Sequence, residues 1–216
     1  KEFLGEKGPL NGEDIVRIIS KQPATARFIS RHLYHFFVAD EPPVPQWPYK
    51  PPRDPEAIET LSRAYFDSNY DMGSVLRVLF NSDFFRSEES WYEKVKSPAE
   101  LVAGVLRLTG EFDQARRQIL ERSQQMLYMG QQLINPPSVE GWHQGTEWID
   151  TGTLLERLNF ATQQFADTGK PGVKAMIGRI LADRGGVVSP ERLVQGCLDQ
   201  MGAFSVSEHT RASLVE

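Results

Sequence analysis

One stretch of the chain, residues 134–150, combines acidic side chains, a histidine and two tryptophans among prolines and glycines. We call this stretch the Trp loop. Two carboxyl groups on either side of a sugar are what glycoside hydrolysis requires, one as acid and the other as base or nucleophile. Aromatic rings also offer apolar faces on which sugars stack. One hypothesis is therefore a hydrolase subunit that acts on a polysaccharide or a sulfated ligand through Glu140 or Glu147.

The same residue types have a structural explanation. Tryptophan usually buries most of its area and donates its indole N–H to a carbonyl, and an acid just before a helix often caps that helix. On this interpretation Trp142 and Trp148 fix the Trp loop to the helices that begin at Pro98 and near Thr153, and Asp150 is a cap. We favour this interpretation, which assigns no catalytic residue.

Two polar residues follow the Trp loop, one turn inside the next helix. Arg157 and Asn159 either hydrogen-bond carbonyls of residues 136–145 and hold them in shape, or Arg157 binds a carboxylate or sulfate through its guanidinium. Both interpretations place these residues beside the loop. The candidate ligand-binding residues are Trp142, His143, Glu147, Trp148, Arg157 and Asn159.

The sequence predicts neither a metal site nor a serine nucleophile. A zinc site would need a third ligand beside His143 and Glu147, and their four-residue interval aligns them only on a helix. His32 and His35 share a helix face, but we interpret them as a solvated or packed pair. No Gly-x-Ser-x-Gly motif occurs. We therefore predict no catalytic residue, metal or cofactor.

Charge and hydropathy narrow the range of partners. The 24 basic and 29 acidic residues give a formal net charge of -5, without the basic field of a nucleic-acid binder. No apolar run approaches the roughly 18 residues of a membrane-spanning helix. We expect no nucleic-acid partner and no membrane span in this segment. Another protein of the same complex and a polysaccharide remain as candidate partners.

Helix start and stop signals repeat along the chain, whereas the alternation typical of strands is nearly absent. One helix is predicted from Asp113 to Leu133, ending before Asn135 because the next two residues are prolines. The sequence predicts an all-α protein, an irregular multi-helix bundle with a long ordered Pro/Gly/Trp loop. Starts are predicted at or next to Asn11, Pro23, Asp54, Asp71, Ser97, Asp113, Asp150 or Thr151, Val173, Pro190 and Ser207.

We expect a core domain over residues 1–166 that includes the Trp loop, and a helical tail over residues 167–216 packed on the same domain. The chain begins without methionine and closes inside a helical pattern, so we interpret it as a piece of a longer protein, truncated at its end. Cys197 lies among apolar residues at helical spacing and is predicted to be a small core residue.

Prolines are concentrated in residues 41–55, on either side of Trp47. Such a segment favours an extended polyproline conformation and could bind an aromatic-lined groove in a partner. We prefer the interpretation of a stiff surface connection whose Trp47 packs on its own domain.

Several motifs follow one another in a consistent order over about residues 1–166. They include residues 23–29, Ser82-Asp83-Phe84-Phe85, Ser97-Pro98, Pro136-Pro137 with Gly141-Trp142, and residues 155–160. With them the chain resembles the carboxy-terminal half of the bacterial family called domain of unknown function 1800. In that family the position of His143 usually holds proline, so a role for this histidine would be particular to this chain.

The resemblance implies no established activity. It implies an exported bacterial protein, periplasmic, cell-envelope or secreted, often encoded beside another unassigned family, number 1501, with a sulfatase-like look. This location and gene neighbourhood suggest a function in the cell envelope or on extracellular polymers. We therefore predict a non-catalytic binding or assembly domain of an exported bacterial protein, with the hydrolase subunit as the alternative.

Overall fold

The computed structural model describes residues 1–42, 50–112, 117–182, 188–202 and 205–215. Trp47, with residues 43–49 of the proline-rich segment, and the predicted helix start at Asp113 lie outside the described residues. Eleven α-helices and one two-stranded sheet occur in the described part of the chain, which confirms the all-α class. The chain divides into two compact units, of which the first is Lys1–Val95 with His143–Glu147 and the second is Lys96–Trp142 with Trp148–Glu216.

The first unit begins with a small hairpin that the sequence did not predict, in which β1 (Glu2–Phe3) pairs antiparallel with β2 (Glu6–Lys7). Three of its helices start after the predicted caps Asn11, Asp54 and Asp71, because each cap oxygen accepts a first-turn N–H three residues ahead. The second and third helices pack together around a core that includes Tyr34, Leu61 and Leu79. The helices are α1 (Gly12–Ser20), α2 (Pro23–Phe37), α3 (Pro55–Asp67), α4 (Met72–Asn81) and α5 (Asp83–Arg86).

The second unit is arranged around α6 (Pro98–Thr109), which packs against three later helices. A capping box between Ser97 and Glu100 begins α6, and Gly110 ends it at φ +64°, as the sequence predicts. Val102, Met129 and Phe160 lie in its core. The remaining helices are α7 (Ile119–Tyr128), α8 (Thr151–Ala166), α9 (Pro171–Leu181), α10 (Pro190–Met201) and α11 (Glu208–Val215).

Two local predictions are wrong. Helix α7 ends at Tyr128 and not at Leu133, because Gly130 adopts φ +96° and Ile134 adopts φ +64°, which no helix accommodates. Cys197 is exposed and not in the core, because α10 packs only partly against its neighbours and buries none of its residues fully.

The predicted division into residues 1–166 and 167–216 stays a prediction, and the compact units do not follow it. Within the described ranges, every helix is too short or too polar to cross a lipid bilayer.

Candidate functional site

The base of the Trp loop is attached to the second unit just after α7. At φ +96° Gly130 turns the chain in a conformation that favours glycine, and a Cβ there would lie 4.0 Å from the Trp148 ring. The next residue, Gln131, is 7% exposed, and its side-chain oxygen accepts the Ala99 N–H of α6 at 2.8 Å. The chain therefore leaves α7 along a fixed path.

Trp148 is an internal residue of the second unit. Its side chain is 4% exposed, and its carbonyl accepts the Thr153 hydroxyl at 3.0 Å. Asp150 accepts the Thr153 N–H at 2.8 Å and caps α8, and this hydrogen bond lowers the pKa of Asp150. A ring buried in this way has no free face on which a sugar could stack.

Trp142 is half-buried and joins the two ends of the loop formed by residues 132–142. Its Nε1 donates to the Gln132 carbonyl at 3.1 Å, ten residues back in sequence. The Gln132 carbonyl also accepts the Asn135 N–H. The Gln132 side-chain oxygen accepts a hydrogen bond from Asn135 Nδ2 at 2.9 Å. An isolated antiparallel β-bridge between Ser138 and Gly141 closes the turn just before Trp142. The segment is an ordered closed loop.

Between Gln132 and Trp142 lies a strongly exposed apolar segment, residues 133–139, which we call the apolar tip. Ile134 is 94% exposed and Val139 is fully exposed, with two prolines between them. Ile134 adopts φ +64°, a left-handed conformation that is unusual for a β-branched residue. The tip therefore combines exposed apolar side chains with an unfavourable backbone.

His143 and Glu147 belong to the first unit and are both exposed. Nδ1 of His143 lies 3.7 Å from Oε2 of Glu147, an exposed pair that contributes little stability. Glu147 also accepts the Gln144 N–H at 3.3 Å. Among the residues that the structure describes, these two side chains are not part of a group of three His, Cys, Asp or Glu that could hold a metal ion.

The residues between them contact the end of α2 within the first unit. The Gln144 side chain lies close enough to His35 to raise the pKa of that histidine, although other causes outweigh this effect. Gly145, at φ +57°, approaches Asp40 so closely that a Cβ there would lie 3.1 Å from the Asp40 Cγ. Nδ1 of His35 accepts the Glu41 N–H at 3.0 Å, and burial lowers the pKa of His35. His35 is therefore held as a neutral acceptor.

Arg157 on α8 is 8% exposed and donates through Nη1 to the Lys96 carbonyl at 2.9 Å. This corrects the expectation that Arg157 bonds carbonyls of residues 136–145. Its Nε and Nη2 are buried without a hydrogen-bond partner among the described residues, and burial lowers its pKa. These two nitrogens form one edge of the guanidinium, the edge that can bind two oxygens of a carboxylate or sulfate.

The six predicted site residues do not form one cluster within one unit. Trp142, Trp148, Arg157 and Asn159 belong to the second unit, whereas His143 and Glu147 belong to the first. Asn159 is exposed. The ligand-binding role of this set stays a prediction.

Sequence reasoning missed a charged cavity in the second unit, where Glu111 contacts Arg122 and Lys170. Glu111 and Lys170 are 59 residues apart and lie outside any motif, so only the fold brings them together. Across the described segments, no three His, Cys, Asp or Glu side chains are grouped so as to hold a metal ion.

Comparison with models of known protein families finds a match over the whole chain. A family model with the description "Protein of unknown function (DUF1800)" matches residues 1–216. No curated protein and no solved structure matches the chain.

Proposed function

Because the chain belongs to this family of proteins of unknown function, we propose its role from its own geometry: it is a non-catalytic binding or assembly module of an exported protein. Its apolar tip inserts into an apolar socket on another protein of the same complex. The exported setting comes from the family resemblance.

The backbone of Ile134 is the observation that carries the proposal. A β-branched residue at φ +64° costs about 1–3 kcal/mol, and such strain is concentrated at functional sites. Burial of the side chain does not offset this cost, since the side chain is 94% exposed. Glycine or asparagine would fit the same backbone at less cost. Burial by a partner would explain why isoleucine and valine occupy these two exposed positions.

The attachment of the tip supports insertion as a preformed element. Gly130 and Gln131 fix one end, and the hydrogen bond from Trp142 to Gln132 fixes the other. A preformed loop loses little conformational entropy when it binds. The exposed valine and isoleucine therefore enter the socket without a large ordering cost.

The charges near the tip favour a protein over an anionic lipid surface. Residues 129–142 contain no lysine or arginine, and Glu140 is their single acid. Binding to anionic lipid depends on basic residues beside the inserted apolar groups. Trp148, one of the two rings that could have stacked on a sugar, is buried, which disfavours a polysaccharide. We therefore commit to a protein socket that is apolar at its centre.

Site-specific photo-crosslinking in the producing bacterium tests this function. A photoreactive amino acid at position 139 should give one discrete protein adduct, whereas the same amino acid at the exposed position Val16 of α1 should give none. The captured protein is then purified and tested for direct binding. Adducts only with lipid or glycan, or equal adducts from both positions, would argue against a protein socket.

A further inference from the structure

A cavity of about 620 Å³ opens in the second unit. It lies where the chain leaves α6 at Glu111, beside Arg122 of α7, Gln164 of α8 and Lys170 just before α9. Its volume is within the range of small-ligand sites. The apolar tip contributes no residue to its lining.

One carboxylate holds two cations in the cavity wall. Glu111 accepts Arg122 Nη2 at one oxygen and Lys170 Nζ at the other, the latter at 2.6 Å. The three side chains are 14%, 19% and 12% exposed, respectively. Burial opposes ionisation of Glu111, but the hydrogen bonds from Lys170 and Arg122 hold its pKa below its usual value. These three side chains carry one positive charge in excess, and Asp167 elsewhere in the lining brings the formal charge of the ionisable lining residues to zero.

After these pairings, the side-chain groups around the cavity that lack a hydrogen-bond partner are mainly donors. Arg122 Nε is buried without a hydrogen-bond partner among the described residues. Lys170 Nζ donates to Glu111 and to the oxygen of Gln164, which leaves one ammonium N–H. With that oxygen occupied, Gln164 offers its amide N–H groups, and its side chain is 2% exposed. Asp167 is an exposed acceptor in the lining, and its Oδ1 accepts the Gly169 N–H at 2.9 Å.

We propose that this cavity binds a small oxyanion, held by Arg122, Lys170 and Gln164. The ligand carries a carboxylate, sulfate or phosphate group, whose oxygens complete the hydrogen bonding of these donors. Glu111 is the internal carboxylate with which such a ligand competes for the two cations. This inference is independent of the proposed role of the apolar tip.

A purely structural ion network is the rival explanation, and substitution of Glu111 separates the two. In both cases Glu111→Gln lowers stability, because two buried cations lose their carboxylate. Only an anion site gains affinity, because the competing internal carboxylate is gone. We expect roughly tenfold tighter anion binding, which corresponds to about 1.4 kcal/mol.

The experiment uses the whole chain. Thermal unfolding is followed in sodium sulfate, sodium phosphate and sodium acetate, each against sodium chloride at equal ionic strength, and calorimetric titration gives the affinity. Arg122→Gln removes the unpaired donor, and Lys174→Gln is the charge-matched control, since Lys174 is an exposed residue of α9. A bound anion raises the unfolding temperature in a saturable way.

We expect a saturable rise in the wild type and in Lys174→Gln, its loss in Arg122→Gln and a stronger response in Glu111→Gln. A response to acetate alone identifies a carboxylate ligand, and a response to sulfate or phosphate identifies a tetrahedral oxyanion. The proposal is overturned if no anion exceeds chloride, or if Arg122→Gln responds like the wild type. If Glu111→Gln does not fold, the comparison of Arg122→Gln with Lys174→Gln decides.

Discussion

At the scale of single residues, substitution of Ile134 should affect the stability of the chain and its binding to a partner in opposite directions. Asparagine tolerates the left-handed region better than isoleucine does, so Ile134→Asn should raise the free energy of unfolding by about 1 kcal/mol. The same change removes an apolar group from the tip and should weaken partner binding. Urea unfolding measures the first effect. Val139→Asn, at a position without positive φ, should change stability by less than about 0.5 kcal/mol, and an equal gain there would contradict the strain at Ile134.

Removal of the charge should destabilise the protein at one buried arginine and leave its stability almost unchanged at another. Arg31 pairs with Glu41, and their side chains are 5% and 2% exposed. Arg31→Met leaves the Glu41 carboxylate buried without its cation and should cost about 3–5 kcal/mol. No carboxylate pairs with Arg157 within the described chain, so Arg157→Met should leave the free energy of unfolding within about 1 kcal/mol of the wild type. Denaturant unfolding of both variants checks this, and an equally large loss at Arg157 would reveal a compensating anion.

His35 should make stability depend on pH. Burial and Lys94 lower its pKa below the ordinary 6.5, although Asp40 opposes them. The unfolded chain therefore binds the proton first, and the stabilisation, complete above pH 6.5, is lost as pH falls from 6.5 toward the lowered folded pKa. Unfolding of the wild type and of His35→Gln between about pH 5 and 8 isolates this contribution.

At the scale of elements, the contact between α6 and α9 depends on one glycine. A Cβ on Gly172 would lie 2.0 Å from the Leu108 carbonyl oxygen, so Gly172→Ala should destabilise the second unit by about 2–3 kcal/mol. Gly178, on the same helix, has open space around it. Gly178→Ala should therefore raise stability by about 0.5–1 kcal/mol. Thermal unfolding compares the two, and similar effects would mean that α9 does not pack closely on α6.

The helices could be predicted from sequence where their ends depend on near neighbours. Asn11, Asp54 and Ser97 each cap a helix through an N–H three residues ahead, a relation that the sequence shows directly. The end of α7 could not be predicted in this way. Apolar residues continue to Leu133 and Ile134, but the left-handed turn at Gly130 places them in the exposed tip.

The candidate site was less predictable because its contacts join residues far apart in the chain. The partner of Arg157 is the Lys96 carbonyl, 61 residues away, and the sequence offered nearer carbonyls. The burial of Trp148 follows the general behaviour of tryptophan, whereas the exposure of Ile134 does not follow from its residue type. Side-chain identity predicts what is usually buried, and the exceptions here mark the tip.

At the scale of the whole molecule, the first unit is made from two separate segments, since His143–Glu147 joins Lys1–Val95. Composition and linkers indicate boundaries along the chain, but they do not reveal that a later segment packs with an earlier unit. The formal charge of -5 and the absence of lysine and arginine from residues 129–142 agree with a protein partner for the tip. The proposed function therefore depends on whether the apolar tip binds a protein partner.

The affinity of the purified chain for the protein captured at position 139 tests this most directly. The double variant Ile134→Asp with Val139→Asp should bind at least about 30-fold more weakly, the loss of about 2 kcal/mol expected of a central contact. The matched double variant Leu4→Asp with Val16→Asp, at exposed apolar positions of the first unit, should bind like the wild type. Wild-type affinity of the tip variant, or an equal loss in both, would contradict the account.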